Sequence, residues 1–224
     1  MTERALLKLN AHFPLKRLDP GEYGSFKASP LTVRLDWYRA EGLGNVSLLH
    51  GKAMGGLMRM ETLVIDPFLR DAPLFSYDYI AAMGKHTLLV EYYDTLIDPE
   101  GFDAAGLLPA KDGVAALPEH DLGVHWYDGL KLPASFAKRT NKTELPRLEI
   151  AFLSALDAYL LLAEQKPPLD DEAQSAKREK AGAYVNGLLS HGGPSTDAFA
   201  KAIGPARTKE LFTRIVFGTE PPRI

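Results

Sequence analysis

Apolar and polar residues alternate along Leu31-Thr32-Val33-Arg34-Leu35-Asp36-Trp37-Tyr38, which is the period of a strand with one buried face. Similar apolar runs follow at 46–50, 57–65, 75–81 and 87–93, the last two joined through Met83-Gly84-Lys85. The gaps between them are short, which predicts antiparallel neighbours. Before these runs, 3–12 reads as a short amphipathic helix with Leu6, Leu7 and Leu9 on one side, and 14–29 reads as loop. Residues 98–145 show no sustained period and carry Pro99, Pro109, Pro118 and Pro133. A long irregular stretch of this kind often covers a ligand. From Pro146 the pattern turns helical, with Leu148, Phe152, Leu153, Leu156, Tyr159 and Leu160 recurring on one side. Pro167-Pro168 stops that helix. Further helices are predicted over 172–189, 195–203 and 207–216.

Strands first and helices afterwards predict an α+β fold rather than strand–helix alternation. The expected architecture is a three-layer α/β/α sandwich around a central, mainly antiparallel sheet. That sheet would take strands from 31–95 and further strands from the irregular region. N-terminal helices would cover one face and C-terminal helices the other. A single domain over 1–224 is expected, without repeats.

Composition narrows the function classes. The net charge of −3 argues against a dedicated nucleic-acid binder. The charge is uneven: residues 1–130 hold 12 Lys/Arg against 18 Asp/Glu, and residues 131–224 hold 14 against 11. The later part could therefore meet an acidic partner. There is no cysteine, which excludes disulfides, Cys-ligated zinc, iron–sulfur clusters and thiol nucleophiles. The N-terminus lacks the apolar run of a signal peptide, and no stretch has the length of a membrane span, so a cytoplasmic protein off the membrane is expected.

Asp78 is the candidate with chemistry. It lies in Ala72-Pro73-Leu74-Phe75-Ser76-Tyr77-Asp78-Tyr79-Ile80, among aromatics and between two core runs. A carboxyl group in such surroundings holds its proton to higher pH and can deliver it to a substrate. Phosphate-binding loops, the dinucleotide fingerprint, HExxH and the GxSxG elbow are all absent. Electrons for any redox step would have to come from a partner or a diffusible cofactor. Glu119, His120, Asp121 and His125 form the best cluster of potential metal ligands, and they leave a metal-dependent hydrolase open.

The stretch 62–95 resembles the ferredoxin-dependent bilin reductases. The matching residues are Leu63-Val64-Ile65-Asp66-Pro67, then Ala72-Pro73-Leu74-Phe75-Ser76-Tyr77-Asp78, then the turn Gly84-Lys85 and the run 87–94. Phe199-Ala200-Lys201-Ala202-Ile203-Gly204 and Leu211-Phe212-Thr213-Arg214-Ile215-Val216-Phe217-Gly218 are similar to the family's closing helix pair. The resemblance implies reduction of a biliverdin-like linear tetrapyrrole, as in phycobilin biosynthesis. Electrons would come singly from reduced ferredoxin through radical intermediates, by a monomer with no bound cofactor and no metal. It places Asp78 as the central proton donor and His50 as a histidine sharing its proton network. Thr62 falls where the family has a second histidine. Phe75, Tyr77 and His191 would join Thr62 against the substrate. The family's late-helix Asn or Asp falls near Gly192, a departure that leaves a non-catalytic tetrapyrrole carrier of the same fold as an alternative. A basic rim for ferredoxin would draw on Lys138, Arg139, Lys142, Lys177, Arg178, Lys180, Arg207, Lys209 and Arg214.

Overall fold

The computed structural model describes residues 1–220. Eight strands form one sheet: β1 (Leu15–Leu18), β2 (Ser25–Ala28), β3 (Leu31–Ala40), β4 (Gly44–Ala53), β5 (Met58–Asp66), β6 (Leu74–Ala82), β7 (Lys85–Tyr93) and β8 (Phe136–Asn141). Their spatial order is β1-β3-β4-β5-β6-β7-β8, with β2 also pairing β3, and each of these pairs is antiparallel. The core of the sheet is thus a meander built from local hairpins. Two of its turns show why the chain reverses where it does. Between β6 and β7 only Met83 and Gly84 separate the paired Ala82 and Lys85, and both have positive φ (51° and 73°). That is the mirror-image two-residue turn whose twist suits a hairpin. At the start of β4, a Cβ on Gly44 would stand 2.0 Å from the Asp66 carbonyl oxygen, so this position must be glycine.

Helices cover both faces. α1 (Thr2–His12), α2 (Leu108–Asp112) and α3 (Leu145–Gln165) lie on one. α4 (Asp171–His191), α5 (Pro194–Ile203), α6 (Pro205–Glu210) and a π-helical turn, Leu211–Val216, lie on the other. The architecture is the expected α+β three-layer sandwich, with one difference: α3 packs beside α1, not with the later helices. The reason is its composition. Leu148, Phe152, Leu156, Tyr159 and Ala163 make a broad apolar stripe that fills the space above Tyr77, Phe75 and Tyr92. In α1, Ala5 and Leu9 face inward while Leu7 stands in solvent, so the apolar face runs through Ala5 rather than Leu7. Stretch 14–29, expected as loop, supplies the two short strands β1 and β2. Four residues each give too few alternations to reveal a strand.

Two adjacent rows of residues organise the sheet. Leu48, Leu63, Tyr77, Val90 and Phe136 stand opposite one another across β4 to β8 and point into the core under α1 and α3. One residue further along, Leu49, Thr62, Asp78 and Leu89 form the next row and point to the other face. Strand side chains alternate faces, so the two rows belong to different layers.

α4 is fastened by charge. The Lys177 ammonium is fully buried and donates to the carbonyls of Ala72 (2.6 Å) and Thr95 (2.8 Å) and to Asp71 Oδ1 (3.2 Å). Burial alone would raise the pKa of Asp71. The backbone N–H groups of Ile97 and Asp98, together with Lys177, outweigh it and hold that carboxyl below its usual value. Among the described residues, no helix is long and apolar enough to cross a membrane.

Candidate active site

The Asp78 row forms the floor of a cavity between the sheet and the second helical layer. The cavity has a volume of about 210 Å³ and opens to solvent at its mouth. Met60, Thr62 and Val64 of β5, Ser76 and Asp78 of β6, and Leu89, Glu91 and Tyr93 of β7 make the floor. The walls come from His125, Trp126 and Tyr127 of the long loop, Tyr184 of α4, the first turn of α5, and Phe212, Val216 and Phe217. It is an apolar, aromatic chamber with a few polar groups, the usual makeup of a small-molecule site.

Asp78 sits near the middle of that floor. Its carboxyl accepts a short hydrogen bond from the Thr62 hydroxyl across the β5–β6 pair. Water can reach it through the cavity, but apolar atoms crowd it from the sheet and the walls. That burial, reinforced by the negative charge of Glu91 and opposed by Thr62, pushes its pKa up to about 6. A group with that value exchanges protons close to neutral pH.

Glu91 is the second carboxyl on the floor. Lys131 Nζ lies 2.7 Å from its Oε1, and the Tyr93 hydroxyl donates to Oε2 at 2.8 Å. Lys131 also reaches Asp128 Oδ1 at 3.1 Å. Burial works against the Lys131 charge, but Glu91 and Asp128 outweigh it and hold its pKa above the usual lysine value. Tyr93 and Tyr184, with ring centroids 4.4 Å apart, both have strongly raised pKa values, chiefly from burial. Neither phenol is a ready proton donor.

Thr62 and Asp78 are brought together. His50 is not: it stands in register with Arg34, Glu61 and Tyr79, on the α1–α3 face. It cannot share a proton network with Asp78 through the sheet, and Leu49 is the β4 residue that faces the cavity. Phe75 and Tyr77 are likewise turned away. Phe75 packs on Tyr92 and Tyr159, and Tyr77 stacks on Phe152 at 3.7 Å. Both are core residues because they have the opposite strand parity to Asp78. His191 stands just outside the cavity. Its ring stacks on Trp126 at 4.9 Å, while Gly192 and Gly193 form the wall.

Glu91, Tyr93 and Tyr184 complete the site without having been singled out in the sequence. The signal for the first two was available, since Thr87, Leu89, Glu91 and Tyr93 alternate along one strand face. Tyr184 faces the cavity through tertiary packing alone. Trp126 is seated by Gly187, where a Cβ would meet its ring at 2.1 Å.

The loop cluster does not assemble as a metal site. Glu119 pairs with Lys138 at 2.5 Å and His125 turns into the cavity. Among the described residues, no three His, Asp or Glu side chains gather as metal ligands. The basic rim also loses members: Lys138 and Lys177 are buried and internally bonded. Arg214 pairs with Glu210, and Arg207 with Glu22.

No family model and no curated protein matches this sequence. The fold does find a match, in the crystal structure of selenomethionine-labelled phytochromobilin synthase from tomato in complex with biliverdin. The TM-score is 0.77, over 97% of this chain and 82% of that one, at 15% sequence identity. The chain has the phytochromobilin synthase fold. At that identity the likeness is one of architecture.

Proposed function

We propose that this protein binds a biliverdin-like linear tetrapyrrole in the cavity and reduces it with single electrons from reduced ferredoxin, Asp78 supplying protons. The observation that carries this reading is Asp78, a carboxyl poised to exchange a proton near neutral pH on the floor of an aromatic chamber. The phytochromobilin synthase fold supports the ligand class. A two-electron reduction of a bilin consumes two electrons and two protons. Asp78 can hand over one proton at a time and recover it from solvent, while the electrons arrive from outside, since the chain has no cysteine to hold a cluster. Thr62 positions the carboxyl. Trp126, Tyr127 and Tyr184 line the cavity in which a flat conjugated ligand would lie.

Anaerobic absorbance titration with biliverdin, followed by ferredoxin and a reducing system, tests the reading. A spectral shift that then progresses to new bands is expected. No shift at micromolar bilin would sink it. The carrier reading is favoured by one feature, the glycine at 192 in the cavity wall where the resembled family has an Asn or Asp. Binding without turnover under the same conditions would decide for the carrier.

A further inference from the structure

Glu91 lies on the same face as Asp78 and diagonally across the β6–β7 pair. In register, Asp78 opposes Leu89 and Glu91 opposes Ser76. Diagonal neighbours of this kind stand about 7–8 Å apart. The two carboxyl groups have different partners. Glu91 is 7% exposed and has an ammonium on one oxygen and a phenol on the other. Asp78 has a hydroxyl and no cation. Two like charges this close in an apolar chamber resist ionising together, and the cation-paired one keeps its charge.

The other groups around Asp78 do not alter the assignment. Tyr127 and His125 face it from the loop and Tyr184 from α4, and the π-helical turn presents Phe212 and Val216. The Lys131 ammonium is bound to Glu91 and Asp128.

We propose that Glu91 is a positioning residue: held as the fixed negative charge of the cavity floor by Lys131, it keeps the proton on Asp78 and faces the N–H groups of a ligand that has received that proton. The second half rests on the proposed function; the first half concerns the ligand-free protein. In the transfer, the Asp78 O–H bond breaks and a ligand N–H or C–H bond forms, leaving Asp78 as carboxylate and the ligand with one added positive charge. Glu91 faces that charge until the electron from the one-electron donor cancels it.

The test is a carboxyl titration of Asp78 in ligand-free protein, followed by isotope-edited infrared or carbon NMR. The wild-type midpoint is expected at about 6. Glu91→Gln should lower it by about one pH unit, because a like charge is gone. Lys131→Met should split the titration into two steps, because without its counter-cation Glu91 competes with Asp78 for the proton. A midpoint in Glu91→Gln equal to or above the wild-type value overturns the proposal. Where Glu91→Gln does not fold, as judged by circular dichroism, an unchanged single midpoint in Lys131→Met overturns it. No bilin enters this titration. A protein that fails to reduce bilins can still pass it, and a working reductase with an unmoved Asp78 defeats the role of Glu91 alone.

Discussion

The hydroxyl of Thr62 donates to the carboxyl of Asp78 across two hydrogen-bonded strands, and this bond is the one force at the site that favours the ionised acid. Burial and Glu91 act against it. Thr62→Val removes the donor and keeps the shape, so the Asp78 pKa should rise above its value of about 6. The alkaline limb of the pH–rate profile should move up with it. A limb that stays in place or moves down would detach Asp78 from the rate.

Asp78→Asn keeps the size of the side chain and removes the exchangeable proton. Bilin binding should survive within a few-fold, while turnover falls about 10²- to 10⁴-fold, the usual range for a lost general acid. Single-turnover absorbance kinetics separate the two effects.

His50→Asn and Tyr77→Phe should leave bilin affinity unchanged, since both side chains lie across the sheet from the cavity. Equilibrium titration of each variant beside the wild type checks this. A large loss of affinity in either would place the ligand on the wrong face.

Gly187→Ala should displace Trp126 from the cavity wall, because the new methyl has no room beside the indole. A loss of about tenfold in bilin affinity corresponds to ~1.4 kcal/mol, about the worth of one aromatic contact. The indole should meet more water, shifting its fluorescence to the red. Unchanged emission and affinity would show that the loop does not form the wall.

Asp66 tests the electrostatics away from the site. It is fully buried, neither carboxyl oxygen has a hydrogen-bond partner, and burial lifts its pKa to about 7 against the pull of Lys177, Arg178 and Arg39. The folded state therefore holds this proton more tightly than the unfolded chain. Its contribution to stability is full below the unfolded value of 3.8 and is lost as pH rises toward about 7. Asp71 and Asp128, with lowered values, work in the opposite sense at the acid end. Asp66→Asn isolates the effect. Urea unfolding should show the variant close to wild type at pH 4 and more stable at pH 8, by on the order of 4 kcal/mol. A gap that does not widen with pH would contradict this.

Much of the fold could be read from period alone. The long strands β3 to β7, the helix α1 and the four later helices all fall where alternation or helical spacing places them. β8 was hidden because Lys138 and Arg139 break its apolar rhythm, although Lys138 turns inward to meet Glu119. The site was half legible. A polar residue among apolar ones exposed Asp78, and its parity also dictates that Tyr77 and Phe75 face away. His50 needed more, since its face depends on the register that the 53–58 turn imposes between β4 and β5. Tyr184 reaches the cavity through the seating of α4, which no local pattern encodes.

The two facing rows of the sheet bear on how such a chain can change over generations. A single inserted residue between Leu74 and Asp78 would swing the acid into the packing beneath α3 and thrust a phenol into the chamber. Substitutions can accumulate along β6 one at a time. Length changes cannot, and a lineage that keeps this acid must confine its insertions and deletions to the turns.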